Sequence, residues 1–176
     1  MMVRRATPDD ASTLASLLAA SWQAAYRGIV PDAYMDGVDA TRWFQRLKDS
    51  LSEGSEEMHV AEIAGATVGL VAFGPCRDPD VHHEMTGEIR RIYVLPDYWR
   101  RGIGRTLCRY AEEALRRGGF RTCVLWVLVG NVRGRRFYEA LGYATDGATK
   151  AVELGASLQS VRLYRELPDM TCLPSF

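Results

Sequence analysis

Between Leu95 and Phe120 the chain reads LPDYWRRGIGRTLCRYAEEALRRGGF, with Gly102 and Gly104 set among Arg100, Arg101 and Arg105. Ile103, Leu107, Ala111, Ala114 and Leu115 keep one apolar face, so a helix is expected from near Gly102 to about Arg117, closed by Gly118-Gly119. Cations at a helix start oppose the macrodipole, which favours negative charge there. A bound anion removes that conflict. Glycines let the backbone approach closely, free N–H groups point at phosphate oxygens, and arginines add charge-assisted hydrogen bonds. The bland alternative is a tight strand-to-helix turn. Two other phosphate motifs do not fit: the first glycine of a P-loop would fall on Trp99 and its lysine on Arg105, and a GxGxxG fingerprint fails at Leu107.

The charge distribution points the same way. The 176 residues carry 22 basic and 22 acidic side chains, so bulk electrostatics gives nucleic-acid binding no support. From Arg100 to Arg136, however, ten arginines face only Glu112 and Glu113, a local excess of eight positive charges. An anionic ligand or a solvated basic face would each account for it.

The flanking segments define what must position this turn. Met2 to Ala6 suits a short strand, and Thr7-Pro-Asp-Asp is a helix-start signal followed by Leu14, Leu17 and Leu18 at helical spacing. SWQAAYRGIVPDAYMDGVD leads into a second helical pattern around Trp43, Phe44 and Leu47, and Ser50 to Glu57 is a polar connection. From Met58 the period becomes that of strands: MHVAEIAG and TVGLVAFGPC with a turn at Ala64-Gly65, then GEIRRIYVLP, which must stop at Pro96. TCVLWVLVG is apolar on both faces, as a central strand is. Asn131 to Leu141 reads as a short helix, and YATDGATKAVELG and SVRLYREL as closing strands. No repeat or linker divides the chain, so residues 1–176 read as one α/β (α+β) domain.

The run IYVLPDYWRRGIGRTL resembles motif A of the Gcn5-related N-acetyltransferase (GNAT) superfamily, a strand and loop followed by Q/R-x-x-G-x-G/A opening a helix. Gly102 and Gly104 match both glycines, and Trp99 takes the Gln/Arg place. Asn131, Gly134, Phe137, Tyr138 and LGY are similar to the family's N-x-x-A-x-x-F/L-Y-x-x-x-G-F/Y, with Gly134 for alanine. VRRATPDDASTLASL and the closing strands agree as well. The resemblance implies a mixed, mostly antiparallel sheet with a splayed central strand pair, flanked by helices. It implies acetyl-CoA (coenzyme A) as the source of the anion. Backbone groups of Ile92, Tyr93 and Val94 would then hold the pantetheine and acetyl group. Amides from Arg100 to Thr106, that is Arg100, Arg101, Gly102, Ile103, Gly104, Arg105 and Thr106, would cradle the pyrophosphate. Asn131 and Phe137 would complete the cofactor site.

Acetyl transfer needs a neutral amine, a stabilised oxyanion and a proton for the departing thiolate. An amine of pKa about 10.4 is mostly protonated at neutral pH, so a base is useful. Residues 88, 90, 92 and 94 are expected to share one strand face, which would direct Glu88 to the acetyl-binding side. Glu88 is either that base or a surface carboxylate paired with Arg90 or Arg91, and Glu84 is a second choice. The resemblance gives Tyr138 the acid role, the alternative being aromatic core. Asn131 could bind the cofactor, cap a helix, or do both.

Asp78, Asp80, His82, His83 and Glu84 contain metal-ligand types without a recognised spacing, so a solvated loop is expected and no metal site is assigned. Trp22, Tyr26 and Tyr34 could shape an acceptor pocket or simply pack. Cys76, Cys108, Cys123 and Cys172 form no CxxC, and Cys108 and Cys123 read as small core residues in a reducing compartment. Without a signal-peptide core or membrane span, a cytoplasmic protein is expected. The expected activity is direct acetyl transfer to a primary amine of a small molecule or peptide, without nucleic acid or membrane as partner and with homodimerisation possible at exposed closing strands. A non-catalytic acyl-CoA-binding module on the same fold is the alternative.

Overall fold

Alternation of apolar residues in the strand segments and 3.6-residue spacing in the helical ones produce a seven-stranded sheet covered on both faces. The computed structural model describes residues 1–54 and 56–167, so Cys172 lies outside the described residues. In chain order the elements are β1 (Met2–Arg5), α1 (Ala11–Tyr26), α2 (Asp32–Met35), α3 (Ala40–Glu53), β2 (Glu57–Ile63), β3 (Ala66–Pro75), β4 (Thr86–Val94), α4 (Ile103–Arg117), β5 (Thr122–Leu128), α5 (Val132–Glu139), β6 (Ala144–Glu153) and β7 (Ser157–Glu166). The sheet order is β1-β2-β3-β4-β5-β7-β6, and every pairing is antiparallel except β4 with β5. Ala64 and Gly65, at φ 50° and 80°, form the turn between β2 and β3, as two-residue hairpins require.

One sheet face carries α4, whose Leu107, Ala111 and Leu115 pack on Val71, Phe73 and Ile89. The other carries α1 and α3, with Leu14, Leu18 and Leu47 against Met58, Val60 and Leu70. Burial on both faces explains the continuous apolar run of β5. Three boundaries differ from the sequence reading. Helix α1 extends through Trp22 to Tyr26, because this aromatic stretch packs against a third cluster containing Val30, Met35 and Leu128. Helix α2 appears where no helix is expected, and α3 takes in the first residues of the expected polar connection.

The loop after β3 is mostly exposed, as expected, and is also anchored at its two aspartates. Arg162, with a side chain 7% accessible, bonds Asp78 at 3.1 Å, Asp80 at 2.7 Å and Asp146 at 2.6 Å. The Trp126 indole N–H donates to Asp78 at 2.8 Å. The loop is therefore strapped to β5, β6 and β7, and its aspartates are committed to a nearly buried guanidinium. Among the described residues no helix is long and apolar enough to cross a membrane.

Candidate active site

Strands β4 and β5 pair only over Thr86–Glu88 and Thr122–Val124. Beyond that rung β4 stays with β3 as far as Val94, while β5 stays with β7 as far as Leu128. The inner edges of residues 89–94 and 125–128 therefore separate without pairing to each other. They open a cleft of about 540 Å³, within the size range of small-molecule sites. Backbone N–H and C=O groups left unpaired along a cleft are free to bond water or a ligand that carries donors and acceptors.

The mouth of the cleft is the start of α4. Arg100 and Gly102 take positive φ, 60° and 81°, which bends the chain into the helix. The Thr106 amide makes a helical bond to the Gly102 carbonyl at 3.0 Å. Ahead of it, the amides of Ile103, Gly104 and Arg105 have no intrahelical carbonyl to bond. These three residues, with Arg100 and Gly102, line the cleft. Thr106 does not, since both its amide and its hydroxyl turn to Gly102. Arg101 also lies off the wall and places its guanidinium 5.2 Å from the Tyr98 ring centre. Of the expected cradle from Arg100 to Thr106, Arg100 and Gly102 to Arg105 therefore line the cleft. Part of the basic excess is internal as well, because Arg116 and Arg117 pair with Glu113, and Arg135 lies 3.9 Å from Glu139.

Ile92, Tyr93 and Val94 all line the cleft. The Val94 carbonyl already accepts from Trp99 Nε1 at 2.7 Å and from Ser21 Oγ at 3.2 Å, so its acceptor capacity is used. From the opposite wall come Asn131, Phe137 and Tyr138. The Tyr138 ring packs edge-on against Phe137 at 4.9 Å and Tyr143 at 5.7 Å. Burial pushes its phenol above the ordinary tyrosine range, so the group holds its proton at neutral pH. Tyr143 gives it a fixed backing. The Tyr143 hydroxyl donates to Glu112 at 2.9 Å, and Arg165 holds that carboxylate at 2.9 Å. Cys108 and Cys123 are fully buried beside this network, as core residues should be, and burial pushes the Cys123 thiol up to about 12.

Asn131 does cap α5, its Oδ1 accepting from the Gly134 amide at 2.9 Å. The cap explains glycine at 134, where a Cβ would lie 2.7 Å from Asn131 Nδ2 and 3.0 Å from its Cγ. Asn131→Ala removes this cap and should lower stability by about 1 kcal/mol, the usual worth of an N-cap. A thermal melt within 1 °C of the parent would contradict this prediction.

Of the three aromatic acceptor candidates, only Tyr26 lines the cleft. Burial raises the pKa of its phenol, which lies beside the side chains of Tyr93 and Asn131, so α1 reaches both sides of the strand gap. Trp22 supports it from behind, donating Nε1–H to the Tyr93 oxygen at 3.0 Å. Tyr34 lies elsewhere, close under Gly155 and bonded to Arg42.

Glu88 requires a correction. Ala72 pairs with Arg91 but Phe73 with Ile89, so Arg90 is an extra residue and β4 bulges there. The bulge reverses the alternation. Ile89, Ile92 and Val94 all pack toward α4, and a Cβ on Gly87 would meet Leu115 of that helix at 2.6 Å. Glu88, between Gly87 and Ile89, therefore points to the α1 and α3 face, opposite Ile92 and Val94. It sits in the last rung before the strands part, and it does not line the cleft itself. Its Oε2 is buried without a hydrogen bond, 3.7 Å from Arg90 Nε. Arg90 is anchored on the Pro75 carbonyl at 2.9 Å, and Arg91 donates to Glu56 Oε1 at 3.2 Å. Glu84 is exposed in the loop before β4 and lies off the cleft wall.

Sequence reasoning missed several wall residues. Ser21 and Ala25 come from the part of α1 beyond its leucine pattern, Trp126 from the middle of β5, and Arg133 from the first turn of α5. Helical spacing from Leu18 would have placed Ser21 and Ala25 on the same face. Nothing in the sequence aligns Trp126 or Arg133 with the cleft, because strand separation decides it.

Comparison with known proteins agrees with this architecture. The model of the acetyltransferase (GNAT) family matches residues 18–143. A probable N-acetyltransferase of Mycobacterium tuberculosis is 29% identical over 94% of this chain and 95% of its own length. An uncharacterized N-acetyltransferase of Archaeoglobus fulgidus is 34% identical over 78% of this chain and 89% of its own. Among solved structures, the PaiA N-acetyltransferase of Thermoplasma acidophilum in complex with coenzyme A superposes with a TM-score of 0.73 at 20% identity, covering 94% of this chain and 98% of that one.

Proposed function

Since the chain belongs to the acetyltransferase (GNAT) family, we propose that it is an N-acetyltransferase that moves an acetyl group directly from acetyl-CoA to a primary amine of a small molecule or peptide. The observation that carries this reading is one cleft in which unpaired strand edges run from the free amides of α4 to the protonated phenol of Tyr138. The residues fit a CoA-sized group. Ile103, Gly104 and Arg105 offer N–H donors at a helix N-terminus to a pyrophosphate, with Arg100 beside them. The parted edges of β4 and β5 offer donors and acceptors to the pantetheine amides.

When bound, acetyl-CoA supplies an activated thioester carbonyl. Tyr138 then holds a proton at its phenol oxygen for the departing sulfur, and its raised pKa keeps that proton in place at neutral pH. Glu88, at the vertex of the gap and facing α1, takes up the amine's proton through water, since it does not itself line the cleft. Tyr26 and Tyr93 narrow the passage by which the amine approaches. Among the described residues no cysteine serves as an acetyl carrier, because Cys76, Cys108 and Cys123 are buried with raised thiol pKa values. We place the reaction in the cytoplasm.

The test is release of free CoA thiol from acetyl-CoA across a panel of amines, amino acids and short peptides, with CoA binding measured by calorimetry. Acceptor-dependent release is expected. CoA binding without release on any amine would favour a binding module, and no CoA binding would end the reading.

A further inference from the structure

Arg133 and Trp99 form a contact across the mouth of the cleft that the motifs do not explain. Trp99 belongs to the loop before α4 and Arg133 to the first turn of α5, and both line the cleft. The Arg133 guanidinium lies 4.4 Å from the centre of the Trp99 ring, within cation–π range. That ring is itself fixed by its N–H bond to the Val94 carbonyl at 2.7 Å. No carboxylate pairs with Arg133 among the ion pairs of the described residues, whereas nearby Arg135 lies 3.9 Å from Glu139.

Three costs meet at this position. A cation in the first turn of a helix opposes the macrodipole. Arg100 and Arg105 on the same cleft add like-charge repulsion. Holding a long side chain on one ring also costs rotamer entropy. An exposed cation–π contact of about 0.5–1 kcal/mol barely offsets them. An anion bound between the two walls would reverse the first two.

We infer that Arg133, held on the Trp99 ring, is the guanidinium that closes over the phosphate groups of CoA from the wall opposite the α4 amides. The inference rests on the reading of the cleft as a CoA site. Trp99 is a platform in this arrangement and supplies no charge, so the cation comes from α5. The phosphate could be the pyrophosphate or the 3′-phosphate, both of which a guanidinium recognises.

The experiment is calorimetry of CoA and of 3′-dephospho-CoA binding to the parent, Arg133→Gln, Trp99→Leu and the double variant. Thermal melts establish that each variant is folded. Arg133→Gln is expected to weaken CoA binding about tenfold, the worth of one charge-assisted hydrogen bond. Trp99→Leu should lose part of that affinity, and the double variant should be no weaker than Arg133→Gln alone, since the platform acts through the arginine. An equal loss with 3′-dephospho-CoA assigns the contact to the pyrophosphate; a loss confined to CoA assigns it to the 3′-phosphate. Arg133→Gln binding CoA within twofold of the parent overturns the inference while leaving the cofactor reading intact. A parent that binds no CoA removes both.

Discussion

Tyr138→Phe should lower kcat by a hundredfold or more while the Kd for CoA stays within about twofold of the parent. The magnitude is that of a positioned general acid, roughly 10²–10⁴ in rate. Only the phenol oxygen is deleted, and the ring keeps its edge contacts with Phe137 and Tyr143. The pH dependence follows from the direction of the pKa shift. Burial raises the phenol's pKa, so the protonated form that can act as acid persists to higher pH than in a free tyrosine. The parent's kcat should therefore hold its plateau through neutral and mildly alkaline pH. Parallel losses in kcat and CoA affinity would instead assign Tyr138 to the packing of the cleft wall.

The second large effect is expected at Gly102. Its φ of 81° is costly for most side chains but is tolerated best by Asn and Asp, and a Cβ there would meet nothing within 4 Å. Gly102→Asn and Gly102→Asp therefore share a size and a backbone cost and differ in one negative charge. At about 5 Å from a phosphate and an effective dielectric near 30, that charge costs about 2 kcal/mol, or roughly thirtyfold in affinity. Gly102→Asp should bind CoA correspondingly more weakly than Gly102→Asn, and added salt should shrink the difference. Equal affinities in calorimetry at low salt would mean that no phosphate sits at this turn.

Much of this site was legible because its signals are local. Glycines at 102 and 104, arginines around them and helical spacing from Ile103 mark the helix start at the cleft mouth without any tertiary information. Asn131 and Tyr138 likewise come with a seven-residue spacing that places both on one short helix. Wherever the sequence reading failed, a tertiary contact had overridden a local pattern. Period-two alternation put Glu88 with Ile92 and Val94, and one extra residue at Arg90 turned it to the other face. The aspartates at 78 and 80 do belong to a mostly exposed loop, but nothing local shows that Arg162, more than 80 residues away, ties them to the sheet. The Trp99 and Arg133 contact has no sequence signature either, since it depends on how far β4 and β5 diverge.

In the proposed reaction the cleft moves an acetyl group from acetyl-CoA directly to an amine. Its most direct test is a turnover experiment with acetyl-CoA labelled in the acetyl carbon, following the label by mass spectrometry in the acceptor and in the intact protein. Label should appear in an N-acetylated product in step with free CoA, with the protein's mass unchanged throughout. Label retained on the protein, or acetyl-CoA bound and recovered intact with every amine offered, would contradict it.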